Sequence, residues 1–302
     1  MTEQLQTPLW GWLIVFYFFF GGIAGGAYLI STIVELVGRP QDRPIARMGY
    51  YIAFPLALVC AVLLIVDLGR PERFWHMIVY RKTLLPWPVW DSAISVGAYA
   101  LLLFGLFSFL SFLDVLVETG RLPWAPLRER YSGTPRRIYA LLGAGVGFFV
   151  ASYTGVLIST THLPMWSSTS LLGALFLASG ASTGLAAIAI GLALTKTPVI
   201  STSLEKLRKA DSMFILIEII LLIAFIALAY LAGYDWSILN LVLLIGVTLI
   251  IGLIVPLVVF LGSAGDVKRR SEATIPILAA LLILAGGFVM RAAIIFGGQG
   301  LI

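Results

Sequence analysis

The chain has 302 residues, 60% hydrophobic and 12% charged, with a formal net charge of +5 and a mean hydropathy of +1.01. A soluble domain carries about 25% charged residues, so this protein lacks the material for a wetted surface. That excludes a soluble enzyme, a nucleic-acid binder and a disordered scaffold, and marks an integral membrane protein.

Eight stretches are long and apolar enough to cross about 30 Å of hydrocarbon as helices. They cover residues 10–37, 49–68, 89–117, 138–160, 169–194, 213–231, 238–261 and 275–295. The expected fold is all-α, two four-helix bundles (1–165 and 166–302) in one membrane unit with no soluble domain. The slightly acidic start MTEQLQTP and the length of the first apolar run argue against a cleaved signal peptide.

The first span carries GGIAGGA, in which Gly21, Gly22, Gly25 and Gly26 form two small-xxx-small pairs on adjacent faces. Such faces let helix backbones approach closely, or make room for a flat ligand. Glu35 lies within about one turn of the far end of this span. The second span holds the single cysteine, Cys60, in an apolar run, which excludes an intrachain disulfide and a cysteine-ligated cluster. It ends at Asp67, where the segment DLGRPERFWHMIVYRKTLLPWPVWD begins. This segment mixes Arg70, Arg73, Arg81 and Lys82 with Phe74, Trp75, Trp87 and Trp90, as expected of a stretch lying in the membrane interface with its charges toward water or a partner. Asp91 then opens the third span as an electrostatic cap, and Asp114 lies near that span's far end.

The fourth span ends in GFFVASYTGVLISTTHLPMW, which gathers Tyr153, Thr154, Ser159, Thr160, Thr161 and His162. The fifth carries SGASTGLA and runs in the same direction as GGIAGGA, a pattern that two halves related by an axis along the membrane normal would give. In the sixth, Glu218 lies about 10 Å beyond Asp211, too deep for simple snorkelling. Arg291 lies near the outer end of the eighth.

Fifteen of the twenty Lys and Arg residues fall in segments that join odd spans to the following even ones; four fall on the other side, all in the loop after Asp67. The positive-inside rule then directs both termini outward, to the periplasm or its equivalent. Seven of the eight tryptophans map to that outer edge (Trp10, Trp12, Trp75, Trp87, Trp90, Trp166 and Trp236), and Trp124 maps to the inner one. Either an interfacial belt or a face that packs a partner protein gives this asymmetry.

Both histidines, His76 and His162, fall in outer loops, so no span offers the buried pair that a membrane haem requires. Electrons that pass through this protein therefore come from a diffusible organic carrier. A quinone headgroup needs donors for two carbonyl oxygens and takes up two protons on reduction. Tyr153, His162 and Asp67, at similar depth near the outer face, have the chemistry for both tasks. Glu35, Asp114 and Glu218, below them, are the candidates for an inward proton path.

GGIAGGAYL, DLGRPERFW, SYTGVL, the small-residue fifth span and GGFVMR together give a family likeness along all eight spans. The protein resembles the NrfD / polysulfide reductase membrane subunits. The resemblance implies a cofactor-free subunit that works with menaquinone or a related quinone, in a pocket near the outer face of the first four helices. It also implies an outer-side iron–sulfur subunit with several four-iron clusters, often joined to a molybdopterin catalytic subunit. Tyr153 matches the family tyrosine that bonds the quinone, and Asp67 the acid beside the pocket. Where some members carry an amide or imidazole before the glycines, this sequence reads Tyr17-Phe18-Phe19-Phe20, so the second donor falls to Tyr17 or His162. Arg70, Arg73, Phe74 and Trp75 are the residues expected to dock the partner. Two other readings compete: a secondary transporter for a small solute, which predicts a midplane site and interrupted helices, and a passive anchor.

Overall fold

A computed structural model describes residues 10–80, 85–86, 92–122, 134–195, 201–262 and 274–302. Trp87, Trp90, Trp124, Asp91, Arg81, Lys82, Arg128, Arg130, Lys196, Lys268, Arg269 and Arg270 lie outside the described residues. The fold is helical apart from one two-residue antiparallel pairing, Val79–Tyr80 with Leu85–Pro86, and has among the described residues eight helices long and apolar enough to span a membrane. They are α1 (Trp12–Val37), α2 (Arg43–Asp67), α3 (Ala93–Glu118), α4 (Thr134–Ser159), α5 (Leu171–Leu194), α6 (Ser201–Leu231), α7 (Ile238–Gly262) and α8 (Thr274–Gly298).

Two helices extend beyond the apolar runs that announce them. α2 starts at Arg43 rather than residue 49, and α6 at Ser201 rather than 213. Hydropathy marks only the part of a helix that lies in hydrocarbon, so charged entry turns escape it. Those turns carry Arg43, Arg47 and Asp211. α7 is continuous but wound as a π-helix over Val242–Ile254. Pro256 follows directly, and without an N–H it cannot donate to the preceding turn. After α2, Gly69 takes φ +66°, a left-handed conformation that turns the backbone into the following loop.

α1 and α5 are the central helices, with 67% and 72% of their apolar windows buried, against 28% for α2 and α6. α1 packs on α2, α4, α5 and α8; α5 packs also on α4, α6 and α8. α3 closes against α2 and α4, and α7 against α8. The glycine motifs of α1 and α5 face each other. A Cβ on Gly26 would collide with the Gly180 carbonyl, and one on Gly184 would come within 2.5 Å of the Ala27 nitrogen. On another face of α1, a Cβ on Gly25 would come within 2.5 Å of the Gly147 carbonyl of α4. These glycines serve backbone contact. Lipid tails compete with apolar side chains as partners, so close packing of this kind is what holds membrane helices together.

The start of α1 and the end of α8 lie on one side of the bundle, where the Trp10 N–H donates to Gln299 Oε1 at 2.7 Å and Gln299 Nε2 donates to the Trp10 carbonyl at 3.1 Å. Trp166 is 2% exposed, stacks on Trp10 at 5.5 Å and donates to the Ile294 carbonyl at 2.7 Å. It therefore serves neither a lipid belt nor a docking face; among the described tryptophans Trp12 and Trp75 are the exposed ones, at 56% and 45%.

Gly26→Ala forces α1 and α5 apart and is expected to cost about 1–3 kcal/mol. Gly105→Ala, where an added Cβ meets nothing within 4 Å, should leave thermal unfolding in detergent unchanged.

Candidate functional site

Three groups of described polar side chains contain the candidate residues. The first lies at the end of the bundle that carries most of the basic residues. Glu35, on the last turns of α1, accepts from Arg136 Nε at 2.7 Å, Arg43 Nη1 at 3.1 Å and the Tyr50 hydroxyl at 2.7 Å. Glu118, at the end of α3, binds Arg43 through two nitrogens (Nε to Oε1 3.1 Å, Nη2 to Oε2 2.7 Å) and Arg47 Nη2 at 2.6 Å. Asp114 joins through Arg136 Nε at 3.6 Å. Behind this cluster, Tyr50 meets Thr32 at 3.2 Å and Tyr28 meets Ser111 at 2.7 Å. Four helix ends are thus tied by carboxylates shared among guanidinium groups, a geometry suited to a partly buried interface.

A second group lies toward the opposite end of α1–α4. Tyr153, 8% exposed on α4, stacks on Phe149 at 5.4 Å and donates to the Ala93 carbonyl in the first turn of α3. Gly97 makes room for its ring: a Cβ there would lie 2.6 Å from the tyrosine oxygen. Tyr17, 3% exposed on α1, lies within electrostatic reach of Tyr153 and of Cys60. The Cys60 thiol points to the Tyr17 carbonyl at 3.7 Å. Asp67 and His162 are both exposed, at the end of α2 and in the turn after α4. Tyr17 and Tyr153 are thus both buried in this half of the bundle, while Asp67 and His162 stand at the surface.

The segment after α2 forms a short 3-10 helix, Pro71–Met77, with no buried residue. Arg70, Arg73, Phe74 and Trp75 are all exposed on it, and Trp75 stacks on His76 at 3.7 Å. Its C-terminal end is tied to α3: Ser95 donates to the Met77 carbonyl at 3.3 Å and Tyr99 to the Ile78 carbonyl. The exposed loop and Tyr153 thus share the first two turns of α3 as their support.

The third group lies in the second half. Glu218 is buried on α6 near Ser179 and Arg291, and Asp211 accepts from Ser182 at 2.8 Å. Glu35 and Asp114 belong to one network and Glu218 to another. Sequence reading alone does not single out Asp211, Arg43, Arg136 or Glu118. The available signal is spacing: Asp211 and Glu218 are seven apart on α6, and Ser179 and Ser182 three apart on α5, each pair on one helical face. A cavity of about 530 Å³ lies elsewhere, between α6 and α7, lined by Tyr230, Tyr234, Asp235 and Trp236 among apolar side chains. Among the described residues no three His, Cys, Asp or Glu side chains gather as a metal site.

Eight packed spans, buried charges and no soluble layer in the described residues define a multi-pass membrane protein of helical class. The family model for "Polysulphide reductase, NrfD" matches residues 1–302, and the protein belongs to that family. It is 29% identical to a polysulfide reductase component of Wolinella succinogenes, over 98% of this protein and 96% of that one. It is 25% identical to the NrfD homolog protein of Haemophilus influenzae, over 97% and 96% of the two sequences. A shorter match, 38% identical over 30% of this protein and 21% of the other, is to a selenate reductase component of Mesobacillus selenatarsenatis.

Arg136→Gln leaves Glu35 and Asp114 short of a cation, and is expected to lower stability by about 1–3 kcal/mol. Arg137→Gln, at an exposed position, should change thermal unfolding little.

Proposed function

We propose that this protein is the quinone-reactive membrane subunit of a respiratory oxidoreductase in a bacterial or archaeal cytoplasmic membrane. It exchanges two electrons and two protons between menaquinone or a related quinone and an iron–sulfur protein docked on the outer, periplasmic face. That partner is a ferredoxin-like subunit with several four-iron clusters, joined to a molybdopterin catalytic subunit. The names of the relatives, as components of reductases, support this reading.

One observation carries it. Tyr153 and the exposed Arg70–Trp75 loop are supported by the same two turns of α3, so a quinone held by Tyr153 lies close beneath a docked electron carrier. Rotation of the Tyr153 O–H away from the Ala93 carbonyl redirects its donor to a quinone carbonyl. Tyr17, also buried in this half, supplies the second donor. Asp67, at the surface end of α2, exchanges protons with water on that side. Glu35 and Asp114, held in their arginine cluster at the far end, are the acids that the first half offers for uptake from the inner face.

The complex purified in mild detergent is expected to contain an iron–sulfur subunit, identified by mass spectrometry, and extractable quinone. A lone polypeptide with neither overturns the proposal. In the assembled complex, Tyr153→Phe should slow quinol-dependent turnover about tenfold or more, the effect of one lost hydrogen bond of about 1.4 kcal/mol. Unchanged turnover removes Tyr153 from the site. Charge reversal at Arg70 and Arg73 together with Trp75→Ala should release the iron–sulfur subunit while bound quinone stays.

A further inference from the structure

Charge is buried in the second half of the molecule as well, in an arrangement that the quinone chemistry does not use. Arg291 is 0% exposed in α8, yet among the described residues its guanidinium is bonded only to neutral acceptors. Nε donates to the Phe18 carbonyl at 3.2 Å, Nη1 to the Gly287 carbonyl at 2.8 Å and Ser179 Oγ at 3.0 Å, and Nη2 to the Phe176 carbonyl at 3.5 Å. The rings of Phe176 and Phe19 flank it at 5.3 and 5.8 Å. Gly22 makes the space: a Cβ there would come within 2.6 Å of Nη2. The cation is therefore seated without a carboxylate ligand.

Glu218, 1% exposed on α6, is the nearby acid. Ser179 is its hydroxyl neighbour and Arg291 its neighbouring cation, and among the described residues neither carboxyl oxygen has a partner in full hydrogen-bond geometry. An ionised carboxylate in that state is costly, and proton binding relieves the cost. Because Arg291 keeps all its acceptors in either case, Glu218 gains or loses a proton without dismantling its surroundings.

A route to it is built from α5 and α6. Asp211 lies seven residues before Glu218, about 10 Å along the helix and on the same face. It is 5% exposed and accepts from Ser182 at 2.8 Å. Ser179 lies one turn along α5 from Ser182, toward Glu218. Two residues before Asp211 is Lys209, whose side chain is 73% exposed at the basic end. The other elements around Glu218 contribute no further charge nearby: the apolar spans of α5 and α7 contain none, and the charge of α1, Glu35, is at its far end.

We propose that Glu218 is a membrane-embedded proton-binding site, loaded from the basic face through Asp211 and the Ser182 and Ser179 hydroxyls, with Arg291 as its fixed countercharge. Each hydroxyl accepts one proton as it releases another, so one proton arrives per site and none accumulates on the way. Loading converts a neutral acid–base pair into a net positive charge inside the second half. The site does not depend on the quinone reading.

Infrared spectroscopy of the intact complex tests this. A protonated-carboxyl stretching band is expected that shifts in D2O, is lost in Glu218→Gln, returns displaced in Glu218→Asp and is unaffected by Glu35→Gln. Asp211→Asn should slow its exchange with D2O. Absence of the band at every pH, or its persistence in Glu218→Gln, overturns the proposal. Where Glu218→Gln fails to assemble, wild-type complex is treated with dicyclohexylcarbodiimide, which modifies protonated acids within membranes. An adduct on Glu218 supports the site, and an unmodified Glu218 overturns it. Quinone extracted from the same samples separates the two readings: the band without quinone sinks the quinone proposal alone, and quinone without the band sinks this one alone.

Discussion

Everything else in this molecule hangs on the backbone contact between α1 and α5. Gly26 lies against Gly180, and Gly184 against Ala27, with no space for a single methyl group. In a membrane the usual driving force for burying side chains is absent, because lipid is as apolar as leucine. Dispersion between closely fitted surfaces, which fades within an ångström of separation, takes its place. Glycine supplies that fit by removing the side chain. The same removal at Gly22 opens the pocket for the Arg291 guanidinium, so the helix contact and the buried charge are two results of one motif.

Charge is handled differently in the two halves. At the basic end of α1–α4, carboxylates and arginines meet directly, close enough to water for the ion pairs to stay solvated at their margins. They fasten four helix ends together. Deeper, around Arg291, a direct ion pair is replaced by carbonyls and aromatic faces. A cation held by neutral dipoles leaves a neighbouring acid at liberty to change its state, whereas a cation held by that acid would lock it. The two networks thus hold their acids differently, one against shared guanidinium groups and one beside a cation seated on neutral acceptors.

At the opposite end the design is one of adjacency. The first turns of α3 receive the Tyr153 hydroxyl from within the bundle and the 3-10 loop from outside. An interior donor and an exterior aromatic, cationic surface are thereby kept at a fixed separation by one rigid helix end. That is the arrangement an electron donor and acceptor on the two sides of a membrane interface require, and it is the physical content of the proposed function.

Much of this was legible in the residues alone. Hydropathy summed along the sequence marked the eight spans, because crossing a membrane is a requirement on each segment by itself. Charge counts per segment separated the basic end from the other, and the glycine, DLGRP and YTG motifs carried the family. Which groups meet was decided only by the tertiary structure. Glu35, Asp114 and Glu218 look alike in sequence, as acids near or within spans, but helix rotation sends the first two to an arginine cluster and the third to a separate pocket. Trp166 reads as interfacial and is buried against Trp10 because the start of α1 meets the end of α8. Depth follows from the one-dimensional sequence; partnership depends on how each helix is turned toward its neighbours, and that is settled by packing across the whole bundle.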